Sequence, residues 1–306
     1  MSTIPEPYRF LVDDAAVFPP GNAPLDTALA AHRRHRQTAW ADLVGPFVVS
    51  DAALPELIEA VRASGDGTPL RVSVVVTGGA GAIEPAVRWA GRAEELELAA
   101  VELGLRDEQD LPRNARRVTT VVDQLRASGD LDGDTPVYVE PPRPLGPEPA
   151  ASWLTALDEL AALDLRMKFR TGGVTADAFP SAAELASCID AALDRELRFK
   201  CTAGLHHALR HRVGEGFDRP VDQHGFLNVL LATRAALDGG GVDDIAQVLE
   251  TVDPSAVRDT LDDEGEETLV SARRWFVSFG SCSVLEPLED LVELGLVDAA
   301  VLEEKA

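Results

Sequence analysis

Along the whole chain, short runs of aliphatic and aromatic residues alternate with longer segments whose apolar positions recur near the 3.6-residue period. The runs are Tyr8–Asp13, Leu43–Ser50, Leu70–Thr77, Leu98–Gly104, Pro136–Glu140, Leu165–Thr171, Leu197–Thr202 and Trp275–Gly280. Their length and composition predict eight strands. The segments between them, such as Asp51–Ser64, Ala82–Glu95, Ala150–Leu163 and Ser181–Leu193, predict amphipathic helices. Such alternation implies a parallel sheet with right-handed crossovers, and eight units favour an α/β fold closed into a (β/α)8 TIM barrel. An open doubly wound sheet is the alternative. No G-x-G-x-x-G follows the first strand, which removes the main support for a dinucleotide-binding sheet. The glycine-rich stretch Gly78–Gly79–Ala80–Gly81 reads as a loop.

The chain is expected to form one domain over 1–306, with an insertion at about 205–270 between strands seven and eight. That insertion holds a histidine-rich loop, a helix at Gly225–Leu237, a Gly239–Gly241 break and an acidic helical stretch near Asp243–Glu267. It reads either as decoration or as a lid or homo-oligomer contact over the mouth. At 306 residues and 45% hydrophobic content the chain suits a folded core rather than disorder. No apolar run reaches the ~18–20 residues of a membrane helix, and no signal peptide is visible, so a cytoplasmic protein is expected. Three cysteines without a CxxC pair fit a reducing compartment. The net charge of −24 argues against nucleic-acid and anionic-membrane partners, and the bland reading of it is solubility.

Three of the 28 basic residues are lysines: Lys168, Lys200 and the near-terminal Lys305. Arginine serves wherever a generic cation will do, so two lysines on consecutive strands require a reason of their own. In a barrel the chemistry sits at the C-terminal ends of strands and in the loops that follow. Period-two alternation turns Met167, Phe169, Phe199 and Cys201 toward the helices. It puts Lys168, Arg170, Lys200 and Thr202 in the lumen, together with Glu102, Tyr138, Glu140, Ser278 and Gly280. A structural ion-pair network would fill a barrel equally well with arginine. Lysine, unlike arginine, can be deprotonated and attack a carbonyl to form a Schiff base.

At these residues the sequence resembles the deoxyribose-phosphate aldolase group of class I aldolases. The matches are Lys168-Phe169-Arg170-Thr171-Gly172 to K-x-x-T-G and Phe199-Lys200-Cys201-Thr202-Ala203-Gly204 to the family's strand-seven motif, with one residue added. Ser278-Phe279-Gly280-Ser281-Cys282-Ser283 is similar to the strand-eight motif, and Val137-Tyr138-Val139-Glu140 to the fifth strand. Glu102 falls where the family carries an aspartate. The resemblance implies a lyase that forms an imine at Lys168, needs no cofactor and acts on a small carbonyl compound, anionic or neutral. Lys200 and Arg170 are expected to depress the Lys168 pKa, and Glu102 or Glu140 to shuttle protons. If Lys200 were the nucleophile, the two lysines would exchange roles. Asp13, Thr171, Gly172, Thr202, Gly204, Gly280, Ser281 and Ser283 are expected to contact substrate or line an anion pocket, with His206 or His207 against the substrate. Gly204-Leu205-His206-His207 departs from the family's phosphate loop.

Four of the six histidines, His206, His207, His211 and His224, fall within 19 residues. They support a second reading, in which zinc or manganese with Glu102 or Glu140 assists hydrolysis or lyase chemistry. A non-catalytic binding barrel is the third. His32 and His35, in an arginine-rich run, are expected on a solvated helix face.

Overall fold

The computed structural model describes residues 3–303 except 66, 107, 108, 145, 147 and 215, so Lys305 lies outside the described residues. The eight predicted strands form a closed parallel barrel. They are β1 (Val12–Asp14), β2 (Val44–Ser50), β3 (Leu70–Val76), β4 (Leu96–Gly104), β5 (Val137–Glu140), β6 (Arg166–Arg170) and β7 (Phe199–Thr202), closed through β10 (Phe276–Ser281). Between β7 and β10 the chain adds an antiparallel hairpin, β8 (His211–Val213) and β9 (Val221–Gln223), which the hydrophobic pattern does not announce. The first strand is shorter than its apolar run. Pro5 and Pro7 lack amide donors, residues 6–8 form a 3-10 turn, and Phe10 takes a positive φ of 51°. Ladder pairing therefore begins only at Val12.

The outer ring is built from α1 (Leu25–His35), α2 (Leu54–Ser64), α3 (Ile83–Arg92), α4 (Leu111–Ser128), α5 (Ala151–Ala161), α6 (Ala182–Leu193) and α7 (Phe226–Leu237). Each presents an apolar stripe to the outward faces of the strands, where residues such as Met167, Phe199, Cys201 and Phe279 are fully buried. Phe169, Phe199 and Phe276 run across three neighbouring strands with ring centroids 5.3 and 5.5 Å apart. Burial of this kind stabilises by roughly 25 cal/mol per Å² of apolar surface. Arg273 ties the N-terminal end of the barrel together, donating to the carbonyls of Pro7 and Arg9 and to that of Phe276.

The acidic part of the insertion becomes α8 (Val242–Leu249) and α9 (Pro254–Arg273), the latter broken at Gly265 by a φ of 75°. The first packs on α6 and α7. The second packs on α7, on the 6–8 turn and on β10. This stretch clothes the wall and the N-terminal end. Among the described residues no helix is long and apolar enough to cross a membrane. After β10 the chain ends with α10 (Leu285–Glu293) and α11 (Ala300–Glu303).

His32 is not on a solvated face. It is 3% exposed, and its Nδ1 lies 3.0 Å from Asp14 Oδ2. Ala28, Leu29 and His32 share one side of α1 by their three- and four-residue spacing, and that side meets β1 and Phe47. Burial would raise the Asp14 carboxyl, but the hydrogen bond with His32 and the His35 ring 3.9 Å away outweigh it and hold it down to about 2. The arginines around His32 mask an inward stripe that only its contact with β1 reveals.

Candidate active site

The C-terminal ends of β4, β5, β6 and β7 bring the predicted charged residues into one buried network. Lys168 and Lys200 stand side by side in the β6–β7 register. Their ammonium groups do not face each other bare, because Glu102 on β4 lies between them. Its Oε2 is 3.1 Å from Lys168 Nζ and its Oε1 2.7 Å from Lys200 Nζ. Ser73 on β3 donates to the same Oε1 at 2.6 Å. Lys168 also meets Glu140 at 3.1 Å, and Glu140 in turn accepts from Arg170 Nε at 2.7 Å. On the far side Lys200 donates to Asp13, which also accepts from Ser278 at 2.9 Å. Beneath it lies the Tyr138 ring, 5.3 Å from the ammonium.

Three carboxylates, Asp13, Glu102 and Glu140, thus balance three cations, Lys168, Lys200 and Arg170. Burial alone would drive Lys200 toward the neutral amine, but Asp13 and Glu102 outweigh it and hold the ammonium well above the ordinary lysine range. Burial would likewise raise Glu102. Lys200 and Lys168 overrule it and keep the carboxyl well below its usual range. Glu140 is also lowered, by Lys168 and Arg170 acting against burial. Lys200 is therefore a fixed charge, 1% exposed and pinned from two sides. A nucleophilic Lys200, the alternative in which the two lysines exchange roles, would first have to shed this charge. Arg170 departs from its expected place in the lumen. Its side chain is 49% exposed and reaches Glu140 at the rim, because β6 ends there and its last side chain emerges from the lumen.

Above the network opens a cavity of about 300 Å³, lined by Lys168, Lys200, Glu102, Arg170, Thr202 and Gly280, with His206, Cys282 and the Phe18–Pro20 loop around its mouth. This size is at the small end for ligand sites. Of the predicted contact residues, Thr202, His206 and Gly280 line it; Asp13, Thr171, Gly172, Gly204, His207, Ser281 and Ser283 do not. Asp13 serves Lys200, in space left by Gly45, where a Cβ would come within 2.2 Å of the Asp13 carboxylate. Ser281 Oγ accepts from the Ser283 amide and Ser283 Oγ from the Glu286 amide, both at 3.2 Å, so these hydroxyls are engaged in the turn into α10.

Thr171, Gly172 and Gly204 hold the loops after β6 and β7 together. Thr171 Oγ1 donates to the carbonyls of Ala203 and, at 3.3 Å, Thr202. Gly204 has φ +77°, and a Cβ there would meet Thr171 O at 2.8 Å. Gly204→Ala should therefore lose about 1–3 kcal/mol of stability from the left-handed backbone, before any contact strain. Urea unfolding checks this; a variant as stable as the parent would show that the loops separate freely.

The four clustered histidines take separate partners. His206 Nδ1 lies 2.8 Å from Glu286 and His207 Nδ1 3.1 Å from Asp290, both acids on α10. His211 Nδ1 is 3.2 Å from the Leu209 carbonyl, and buried His224 uses Nε2 toward Pro180 O at 2.9 Å. Burial pushes His224 down to about 4. Among the described residues no group of three or more His, Cys, Asp or Glu side chains is placed to hold a metal ion. Cys282 and Glu286, which the sequence did not single out, join His206 at the mouth. No pattern near either residue marks this, since 76 and 80 residues separate them from His206.

No protein-family model matches the chain, and no curated protein matches it.

Proposed function

We propose that the protein is a class I aldolase-like carbon–carbon lyase whose Lys168 forms an imine with a small carbonyl compound. The observation that carries this reading is the asymmetry of the two lysines. Lys200 is locked between Asp13 and Glu102, whereas both partners of Lys168 are shared with other cations, Glu102 with Lys200 and Glu140 with Arg170. Both lysines line the cavity, so it is the sharing of carboxylates that separates them. Lys168 is the amine of the network least needed for charge balance.

The chemistry follows from that balance. When Lys168 attacks the carbonyl carbon, it must give up a proton, and Glu140 is the nearest carboxylate not also bound to Lys200. The carbinolamine then loses water and becomes an iminium ion. Positive charge is restored between Glu102 and Glu140, so the buried carboxylates are again compensated. The iminium draws electrons from the adjacent carbon–carbon bond, which breaks or forms with Lys168 as the electron sink. Glu102 and Lys200 hold the lysine in position throughout. Arg170, exposed at the rim, offers a bidentate partner for an anionic substituent on the substrate. The chain supplies every group in this sequence, and no metal or cofactor takes part.

Incubation with a panel of small aldehydes and keto acids, followed by borohydride reduction and mass analysis, tests the reading. A reduced adduct mapping to Lys168 is the expected result. Absence of an adduct across the panel, with the protein folded, would overturn it.

A further inference from the structure

The mouth of the cavity carries a second potential nucleophile. Cys282 follows directly on β10, and its Sγ lies 3.9 Å from His206 Nε2. His206 Nδ1 is 2.8 Å from Glu286 Oε2. With Nδ1–H donated to that carboxylate, Nε2 is left facing the thiol as an acceptor. Thiol, imidazole and carboxylate thus make successive contacts, drawn respectively from the residue after β10, the loop after β7 and the first turn of α10. Cys282 is partly exposed and lines the cavity with His206, while Cys188 and Cys201 are buried. The contact with Cys282 raises His206, burial opposes it and Glu286 adds to it, taking the imidazole up to about 9. For Cys188, burial instead pushes the thiol up to about 12.

We propose that Cys282 is a second covalent site, a thiol activated by His206 and Glu286 that adds reversibly to small aldehydes entering the cavity. The Sγ–H proton passes to His206 Nε2 and the sulfur pair forms a C–S bond. The carbonyl π pair moves to oxygen, which takes the proton back from His206. The product is a thiohemiacetal, balanced without oxidant or reductant. This site stands independently of imine formation at Lys168. It gives the cavity two covalent anchors, on β6 and just after β10 with β7 between them, one for nitrogen and one for sulfur chemistry.

The test uses the full chain, iodoacetamide and acetaldehyde. At neutral pH the native protein should take up one carbamidomethyl group, at Cys282, with Cys188 and Cys201 untouched. An unassisted thiol is only about a few per cent thiolate at this pH, so His206→Asn should slow the labelling by about tenfold or more. Glu286→Gln, at a half-exposed position, should slow it by a smaller factor and serves if His206→Asn fails to fold. Lys168→Arg cannot form an imine, so in that background any protection of Cys282 by acetaldehyde reports the thiol alone. Protection that is lost on dialysis is expected. Unchanged labelling in folded His206→Asn or Glu286→Gln, or no protection in Lys168→Arg, overturns the proposal. Failure of imine trapping at Lys168 would leave these results unaltered.

Discussion

Lys200→Met should lose about 3–5 kcal/mol of folding stability, the largest effect of any single change in the lumen. Methionine fills a similar volume but leaves Asp13 and Glu102 buried without the cation that both now touch. Their desolvation is then opposed by Ser73, Ser278 and Lys168 alone. The pH dependence should tilt further toward acid with it, since burial already raises Asp13 in the parent against the pull of Lys200. In the parent, Glu102 is held low, so its contribution is present above the unfolded carboxyl pKa and is lost as pH falls through the depressed folded value. In Lys200→Met, burial without Lys200 raises the carboxyls above their unfolded values. Acid then favours the folded state, and stability should rise between about pH 7 and pH 5. Denaturant unfolding over that range decides the matter. A loss below about 1 kcal/mol, or a parent-like pH slope, would show that water already solvates the two carboxylates.

Lys168→Arg should abolish the borohydride-trapped adduct and lower turnover of any substrate found by more than about a thousandfold. Arginine keeps a cation between Glu102 and Glu140 and so preserves the network, but its guanidinium cannot be deprotonated to act as a nucleophile. The stability change should be well below that of Lys200→Met, because no carboxylate is left uncompensated. Loss of the adduct with a near-parental melting transition separates chemical from structural roles. An adduct of full yield in Lys168→Arg would move the imine to another amine and remove Lys168 from the mechanism.

The two substitutions differ in kind although the residues are neighbours on consecutive strands. Lys200 shares Glu102 but has Asp13 to itself, and it acts as the fixed charge around which the site is built. Lys168 shares both of its carboxylates with other cations. The distinction comes from Asp13, which approaches Lys200 because β1 closes the barrel against β10 and because Gly45 leaves room for its carboxylate.

Much of this molecule was legible in the chain alone. Strand and helix segments follow from local periodicity, a property of a few consecutive residues, and eight such units allow few closed arrangements. The inward placement of Lys168, Lys200, Glu102, Glu140 and Ser278 followed from period-two alternation along each strand, which the pleat enforces wherever one face packs on helices. The scarcity of lysine drew attention to a pair that the β6–β7 register places side by side. What sequence could not supply was pairing across the barrel. That Glu102 separates the two lysines, that Asp13 pins one of them and that Arg170 leaves the lumen depend on register and on where each strand ends. His32 went astray for the same reason, since its partner Asp14 lies on another element. Thr171, Gly172 and Gly204 proved to join two loops, a role set by backbone approach between residues about thirty positions apart. Cys282, His206 and Glu286 meet only because β7 and β10 are neighbours in the closed sheet and α10 returns over them. Local pattern determined the elements and the faces they present. Closure of the barrel decided which charges meet, because contact between distant strands is a property of the tertiary fold.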